Sequence, residues 1–487
     1  MACVLSNETT SMGTATQPPA AFISADHVRT MFTHAMSAMY RREVPLYGDL
    51  VQIVQQTNSS STSDLQAHDS LQRLSLERHG AIRLGTAQEL CTIKRLFRVM
   101  GMHAVGYYDL SLAGLPMHAT CFRPTCAKSL EANPFRIFTT LLRPEMLQSD
   151  EPKSIAEDLL RHRKIFTPAL LQLLDAAEEQ DGRLSLDQVE VLIPEALSTF
   201  SWQPVAAASR AQYMKLCNEH PILADIACFR SAHINHLTPR VLDIDAAKTA
   251  MELAEMPVKA SIEGPPKRKW PILLRQTSFL ALEEQIRFRI CEQQQPEGNF
   301  ATGSHKARFG EIEERGAAVT PKGRQLYDFL LEEASSRSAN ASSAERDLIF
   351  SEVFLKFPDV WSDMRREGLV YCVYKRTSKA VTEATKLSTV SNTSNTLAEK
   401  LISQGLVQTY PITYEDFLPF SAAGIFQSNL QTAQKDEQSS NFKAISDQEG
   451  FEQSLGGPLI NSDDLYLQIE NDSLRDCVES LGIKCSF

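Results

Sequence analysis

No apolar run in this chain approaches the ~20 residues that a membrane-spanning helix requires, so the sequence offers no segment of that kind. Cations do not outnumber anions: 49 Lys and Arg stand against 60 Asp and Glu, a formal charge of −11. That balance argues against a general affinity for nucleic acid or for anionic membrane surfaces. The short basic runs Arg161 to Lys164 and Pro265 to Trp270 read as solvated turns. Cysteine occurs, but never as CxxC, and the nearest pair, Cys121 and Cys126, lacks the usual zinc spacing. The ten cysteines are expected as reduced, mostly buried thiols. The first twenty residues hold neither a long apolar stretch nor Arg enrichment, which leaves the cytoplasm as the expected location.

What the chain does have is room for a core. With 487 residues, 43% of them hydrophobic, it can build two or three domain-sized units. After a tail over 1–20, expected to be disordered, a Ser/Asp-capped segment carries Val28, Met31, Phe32, Met36 and Met39 at helical spacing. Thr57 to Asp64 reads as a linker or loop. A compact module follows, with HGAIRLG as strand, TAQELCTIKRLFRVMG as a helix ending at Gly101, and MHAVGYYDL, LPMHATCFRP and PFRIFTTLL as three strands. The same βαβββ order recurs after His233: HINHLTPR is a strand, DIDAAKTAMELAEM a helix, and VKASIEG, WPILLRQTSF and ARFGEIEERG are strands. An internal structural repeat is therefore expected. The predicted fold class is α+β, with an N-terminal helix and a first βαβββ module over 21–150 and a second βαβββ module over 231–325. A helical insertion over 151–230 separates them. Residues 326–487 form helical additions with a mobile Ser/Thr-rich insertion near 376–400.

Two distant stretches share a small pattern, a His followed four residues later by an Arg: His79 with Arg83, and His236 with Arg240. In an extended strand, residues four apart share a face at roughly 13 Å, so each pair is expected to aim an imidazole and a guanidinium into one cavity. In ARFGEIEERG, Glu311 and Glu313 share a face while Glu314 points away. Two His and one carboxylate on strands make the site type of non-haem iron oxygenases, with positions left open for substrate and O2. This pattern alone does not choose between Glu311 and Glu313.

The segments REVPLYGDL, ERHGAIRLGT, VGYYDLS, HINHLTPR, ILLRQTSF, RFGEIEERGAAVTPKGRQLYD and EDFLPFSAAGIFQSNL resemble the 2-oxoadipate dioxygenase/decarboxylase family. This is an iron-dependent branch near the vicinal oxygen chelate enzymes, and the likeness spans residues 25 to 480. It implies paired βαβββ modules whose curved central sheet encloses a metal. It implies Fe(II) held by His79, His236 and Glu311, with Arg83 meeting the substrate. Arg275, Gln276, Phe420 and Ser421 are further pocket candidates. Members of the family carry a smaller Val before the Ser of the last motif, where this chain has Phe420.

The implied reaction takes a small 2-oxo dicarboxylic acid and O2 as partners, converting 2-oxoadipate to 2-hydroxyglutarate with loss of CO2, in lysine breakdown. A 2-oxo acid chelates through its carboxylate and keto oxygen, leaving one position of the site for O2. Arg83 would grip the distant carboxylate through a bidentate, charge-assisted contact. Two other readings stay open. An isomerase or ring-cleaving dioxygenase on the same scaffold would keep the metal ligands without needing a carboxylate clamp. A non-catalytic scaffold would be stabilised by metal with no turnover.

Overall fold

The computed structural model describes residues 21–60, 71–289, 300–379, 394–418 and 446–483. Helix α1 (Ala25–Glu43) starts where Ser24 accepts a hydrogen bond from the His27 amide, and it buries Val28, Phe32, Met36 and Met39. Helix α2 (Pro45–Ser60) continues through Ser60, so the expected linker begins inside a helix; 61–70 lie outside the described residues. Helix α3 (Leu71–Leu76) leads into strand β1 (Arg78–Leu84), which is buried along its whole length.

The first module follows the predicted order. Thr86 caps helix α4 (Ala87–Val99), and Gly101 takes the positive φ of 66° that ends it. Strands β2 (His103–Asp109), β3 (Met117–Arg123) and β4 (Arg136–Leu142) follow, with a short helix α5 (Ala127–Ala132) before β4. They form a sheet of order β2-β3-β4-β1-β5, where β4 runs parallel to β1 and β5 (His236–Pro239) runs antiparallel to it. Helices α6 (Asp150–His162), α7 (Pro168–Glu179), α8 (Leu186–Phe200), α9 (Arg210–Glu219) and α10 (Pro221–Ala227) fill the stretch between the halves.

The second half repeats the plan with one irregular edge. After β5 and helix α11 (Ile244–Leu253), strand β6 (Leu274–Ser278) pairs antiparallel with β9 (Glu311–Arg315). Past the end of β5, Arg240 bridges Glu313 in parallel, and the Val241 amide donates to the Glu313 carbonyl at 2.7 Å. The predicted strand VKASIEG is reduced to isolated bridges: Lys259 N reaches Ser278 O at 2.9 Å and Glu263 N reaches Gln276 O at 2.8 Å. Gly264, at φ 108° and too close to the Leu274 carbonyl for any Cβ, ends the run. Each half thus orders its strands second, third, fourth, first, and the two first strands, β1 and β5, meet antiparallel at the centre. A hairpin absent from the sequence reading, β7 (Glu283–Arg289) with β8 (Phe300–Lys306), sits between β6 and β9.

Alternation along β1 separates two cores. Ile82 and Leu84 pack with Phe32, Ile93, Leu96, Ile137 and Ile244 on one face. Ala81 packs with Phe138, Leu160, Leu223 and Ile226 on the other. Full burial of each such side chain is worth about 1.5–3 kcal/mol, so the sheet is held from both sides. His79 and Arg83 are in phase with Ala81 and share its face. Beyond 320 the chain adds helices Pro321–Arg337, Ser343–Val353 and Trp361–Arg366, strands β10 (Cys372–Arg376) and β11 (Val407–Pro411), and helices Ser394–Ser403, Gln448–Leu455 and Ser462–Ser480. Most of the Ser/Thr-rich insertion, 380–393, and the tail 1–20 lie outside the described residues. No described helix is long and apolar enough to cross a membrane.

Candidate metal centre

His79 is the second residue of β1, His236 the first of β5, and Glu311 the first of β9. The antiparallel register sets His236 opposite Ala81 and His79 opposite Thr238, so both imidazoles leave the same face of the sheet. Glycines allow the close approach. A Cβ on Gly80 would lie 2.6 Å from Ile234 Cδ1, and one on Gly310 would lie 2.3 Å from the Phe279 ring. The two rings stand at 89° with centroids 5.3 Å apart. His79 Nε2 lies 3.5 Å from Glu311 Oε1, His236 Nε2 lies 3.9 Å from Glu311 Oε2, and one ligand atom from each residue falls within 4.8 Å of the others.

Glu313 plays a different part from Glu311. Its Oε2 sits 2.8 Å from His79 Nδ1, on the far side of the ring from Glu311. That contact places the Nδ1 proton toward Glu313 and turns the Nε2 lone pair toward Glu311, the arrangement in which an outer carboxylate orients a ligating imidazole. Glu313 is in turn held by Arg136 at 3.2 Å and Arg315 at 2.8 Å. Burial alone would raise its carboxyl, but Arg315, His79 and Arg136 outweigh burial and keep it well below the usual range. For Glu311 the balance is reversed: burial and then the neighbouring Glu313 charge push it well above the usual range.

The residues present fit a metal. Glu311 is fully buried, its Oε2 has no hydrogen-bond partner among the described residues, and its other oxygen accepts from the Gln276 amide. A buried carboxylate so poorly compensated costs several kcal/mol unless a cation joins it. Burial also lowers both imidazoles, His236 strongly, which keeps them neutral and able to donate lone pairs. Phe417 packs edge-on to His79 at 4.9 Å and Phe309 against His236 at 4.8 Å, walling the centre with apolar rings.

The other predicted residues divide. Gln276 touches Glu311 and so belongs to the centre. Arg275, its strand neighbour, faces the opposite side of β6, where Asp245 holds it at 2.9 Å and Glu314 at 2.9 Å. Arg83 is buried and donates through Nη1 to Asp225 Oδ2. Arg240 does not mirror Arg83. It lies beyond the end of β5, bound to Glu77 at 3.0 Å between the two halves. Phe420 and Ser421 lie outside the described residues. Sequence reasoning missed Asp225 and left Glu313 without a role. A lone acid in the apolar run PILADIACF was the available signal, because a carboxylate there must be paired.

Paired β-rich halves around a buried cluster of two His and one Glu make an α+β scaffold with a candidate metal site. The family profile described as 2-oxoadipate dioxygenase/decarboxylase matches residues 32–429, and the chain belongs to that family. A 2-oxoadipate dioxygenase/decarboxylase of Shigella flexneri is 46% identical over 462 residues, covering 93% of this chain and 98% of the relative. The protein of that name from Pseudomonas putida is 45% identical over 473 residues, 95% and 98% of the two chains. The crystal structure of the Pseudomonas putida hydroxyglutarate synthase in complex with 2-oxoadipate superposes with a TM-score of 0.83 at 42% identity, covering 95% of this chain and 99% of the other.

Proposed function

We propose that this protein is an Fe(II)-dependent dioxygenase/decarboxylase that converts 2-oxoadipate and O2 to 2-hydroxyglutarate and CO2, a step of lysine catabolism. The observation that carries this reading is the convergence of His79 Nε2, His236 Nε2 and Glu311 on one buried point, in a chain of this family. Two neutral imidazoles and one carboxylate suit iron(II) and leave open positions on one side. Bound there, iron would supply the electrons for O2 activation and a seat for the keto acid's carboxylate and keto oxygen.

The chain's own residues do the rest. Glu313 holds His79 in the tautomer that presents Nε2, and Gln276 holds the Glu311 carboxylate in place. Phe417 and Phe309 keep bulk water from the reacting end. Arg83, on the same sheet face as His79 and close enough to His236 to depress its basicity, meets the far carboxylate of the substrate. Because a guanidinium is a planar fork with fixed donors, that contact sets register as well as affinity.

The test is anaerobic loading of the purified chain with Fe(II), then a screen of 2-oxo acids with O2 uptake and CO2 release followed together. Turnover should be greatest with 2-oxoadipate. CO2 release without O2 uptake would contradict the assignment.

A further inference from the structure

Among the described residues, one other buried group joins imidazoles to a carboxylate: Asp225, His233 and His305. Asp225 Oδ1 lies 3.1 Å from His233 Nε2 and 2.8 Å from His305 Nε2. Its Oδ2 accepts from Arg83 Nη1, and Asn235 Nδ2 approaches the same oxygen at 3.4 Å. An ionised carboxylate only accepts hydrogen bonds, so both imidazoles turn an N–H toward Asp225 and not a lone pair. A cation placed there would also face the Arg83 guanidinium across the carboxylate. The cluster is therefore built to hold Asp225.

The surroundings keep that hold rigid. Trp202 lies edge-on to His233 at 4.7 Å and stacks with His305 at 5.9 Å, while Phe229 packs on His305 at 4.8 Å. The Tyr213 hydroxyl meets His305 Nδ1 at 2.9 Å from the other side of the ring. Arg83 belongs to β1, Asp225 to α10, His305 to β8, and His233 to the stretch before β5. One carboxylate thus ties a long, flexible guanidinium side chain to three separate parts of the fold.

We propose that Asp225, oriented by His233 and His305, is a positioning residue that fixes the Arg83 guanidinium and so sets the length of 2-oxo dicarboxylic acid the site accepts. This rests on the reading that Arg83 meets the far carboxylate. A fork anchored by Nη1 has a fixed plane and a fixed distance from the metal centre, so a ligand one methylene shorter presents its carboxylate out of line.

The experiment compares the Fe(II)-loaded parent with Asp225→Asn, His305→Ala, His305→Gln and Arg83→Gln. It measures kcat and KM for 2-oxoadipate and 2-oxoglutarate, and inhibition by 2-oxohexanoate, which has the same chain without the far carboxylate. Asp225→Asn should raise KM for 2-oxoadipate about tenfold or more and shrink its kcat/KM advantage over 2-oxoglutarate, with 2-oxohexanoate inhibition changed less than about twofold. His305→Ala should move both quantities the same way, and His305→Gln, which keeps a donor, should restore them; this pair decides the matter if Asp225→Asn does not fold. A parent-like advantage in Asp225→Asn and His305→Ala, or an equal loss of 2-oxohexanoate binding, overturns the positioning role. Arg83→Gln separates the two levels. If it leaves the preference for 2-oxoadipate over 2-oxohexanoate intact, the Arg83 reading fails and the inference with it; if it destroys that preference while Asp225→Asn does not, the inference alone fails. A second metal ion per chain, lost in His305→Ala, would assign the cluster to metal binding and overturn the proposal.

Discussion

Two glutamates two residues apart on β9 have opposite electrostatic surroundings, and the proposed division of work between them rests on that difference. Glu311 faces both imidazole Nε2 atoms, where burial and the Glu313 charge outweigh Lys259 and Arg315, whereas Glu313 is surrounded by His79, Arg136 and Arg315. Glu311→Ala should therefore abolish bound iron and turnover together, while Glu313→Gln should weaken metal affinity about 10–100-fold, as loss of an outer carboxylate does. Metal content by mass spectrometry checks this. Retention of iron in Glu311→Ala with its loss in Glu313→Gln would exchange the two roles. Arg83→Lys keeps the charge but loses the fork, and loss of a buried, charge-paired hydrogen bond costs ~2–5 kcal/mol, so kcat/KM for 2-oxoadipate should fall at least about thirtyfold. Parent-like kinetics would remove Arg83 from the substrate site.

At the scale of elements, α10 is joined to the sheet by the Asp225 carboxylate, which spans 142 residues of sequence to reach Arg83. Burial would raise that carboxyl, but Arg83, His233 and the hydrogen bonds from His233 and His305 outweigh burial and hold it well below the usual range. Its contribution to stability is therefore present above the ordinary Asp value near ~4 and lost only as pH falls through the lower folded value. Asp225→Asn should lower the melting temperature at neutral pH, by ~3–5 kcal/mol of stability for a broken buried pair, and the gap to the parent should narrow in strong acid. A gap independent of pH would mean the carboxylate's charge is not what anchors the helix. Much of this level was legible in sequence. Hydrophobic alternation placed β1 to β4 and the helix capped by Thr86, and the recurring His-x-x-x-Arg pattern led to β1 and β5. The second strand of the second half was not legible as irregular, because its break at Gly264 depends on the Leu274 carbonyl of a neighbouring strand. The β7–β8 hairpin carried a readable signal, Ile286 alternating with Phe288 in EEQIRFR, in a segment otherwise polar. Alternation puts Glu311 and Glu313 on one face, and what tells them apart, the contacts of Glu313 with His79, Arg136 and Arg315, exists only once three strands are assembled.

For the whole molecule, the candidate metal centre lies where the halves meet: His79 comes from the first half and His236 and Glu311 from the second. An ion bound there cross-links both halves and is absent from the unfolded chain, so it should stabilise the fold by about 2.7 kcal/mol at one hundred times its dissociation constant. Thermal melting with and without Fe(II) under anaerobic conditions checks this, and His79→Ala should erase the shift. The same shift in His79→Ala would place the stabilising ion elsewhere. The most direct measurement of the central claim is a single closed reaction of the Fe(II)-loaded chain with 2-oxoadipate, in which O2, CO2 and 2-hydroxyglutarate are counted together. Equal consumption and release, with one 2-hydroxyglutarate per O2 and per CO2 and none of the three in Glu311→Ala, is the predicted result; glutarate as the main product, or CO2 formed without O2, would contradict it.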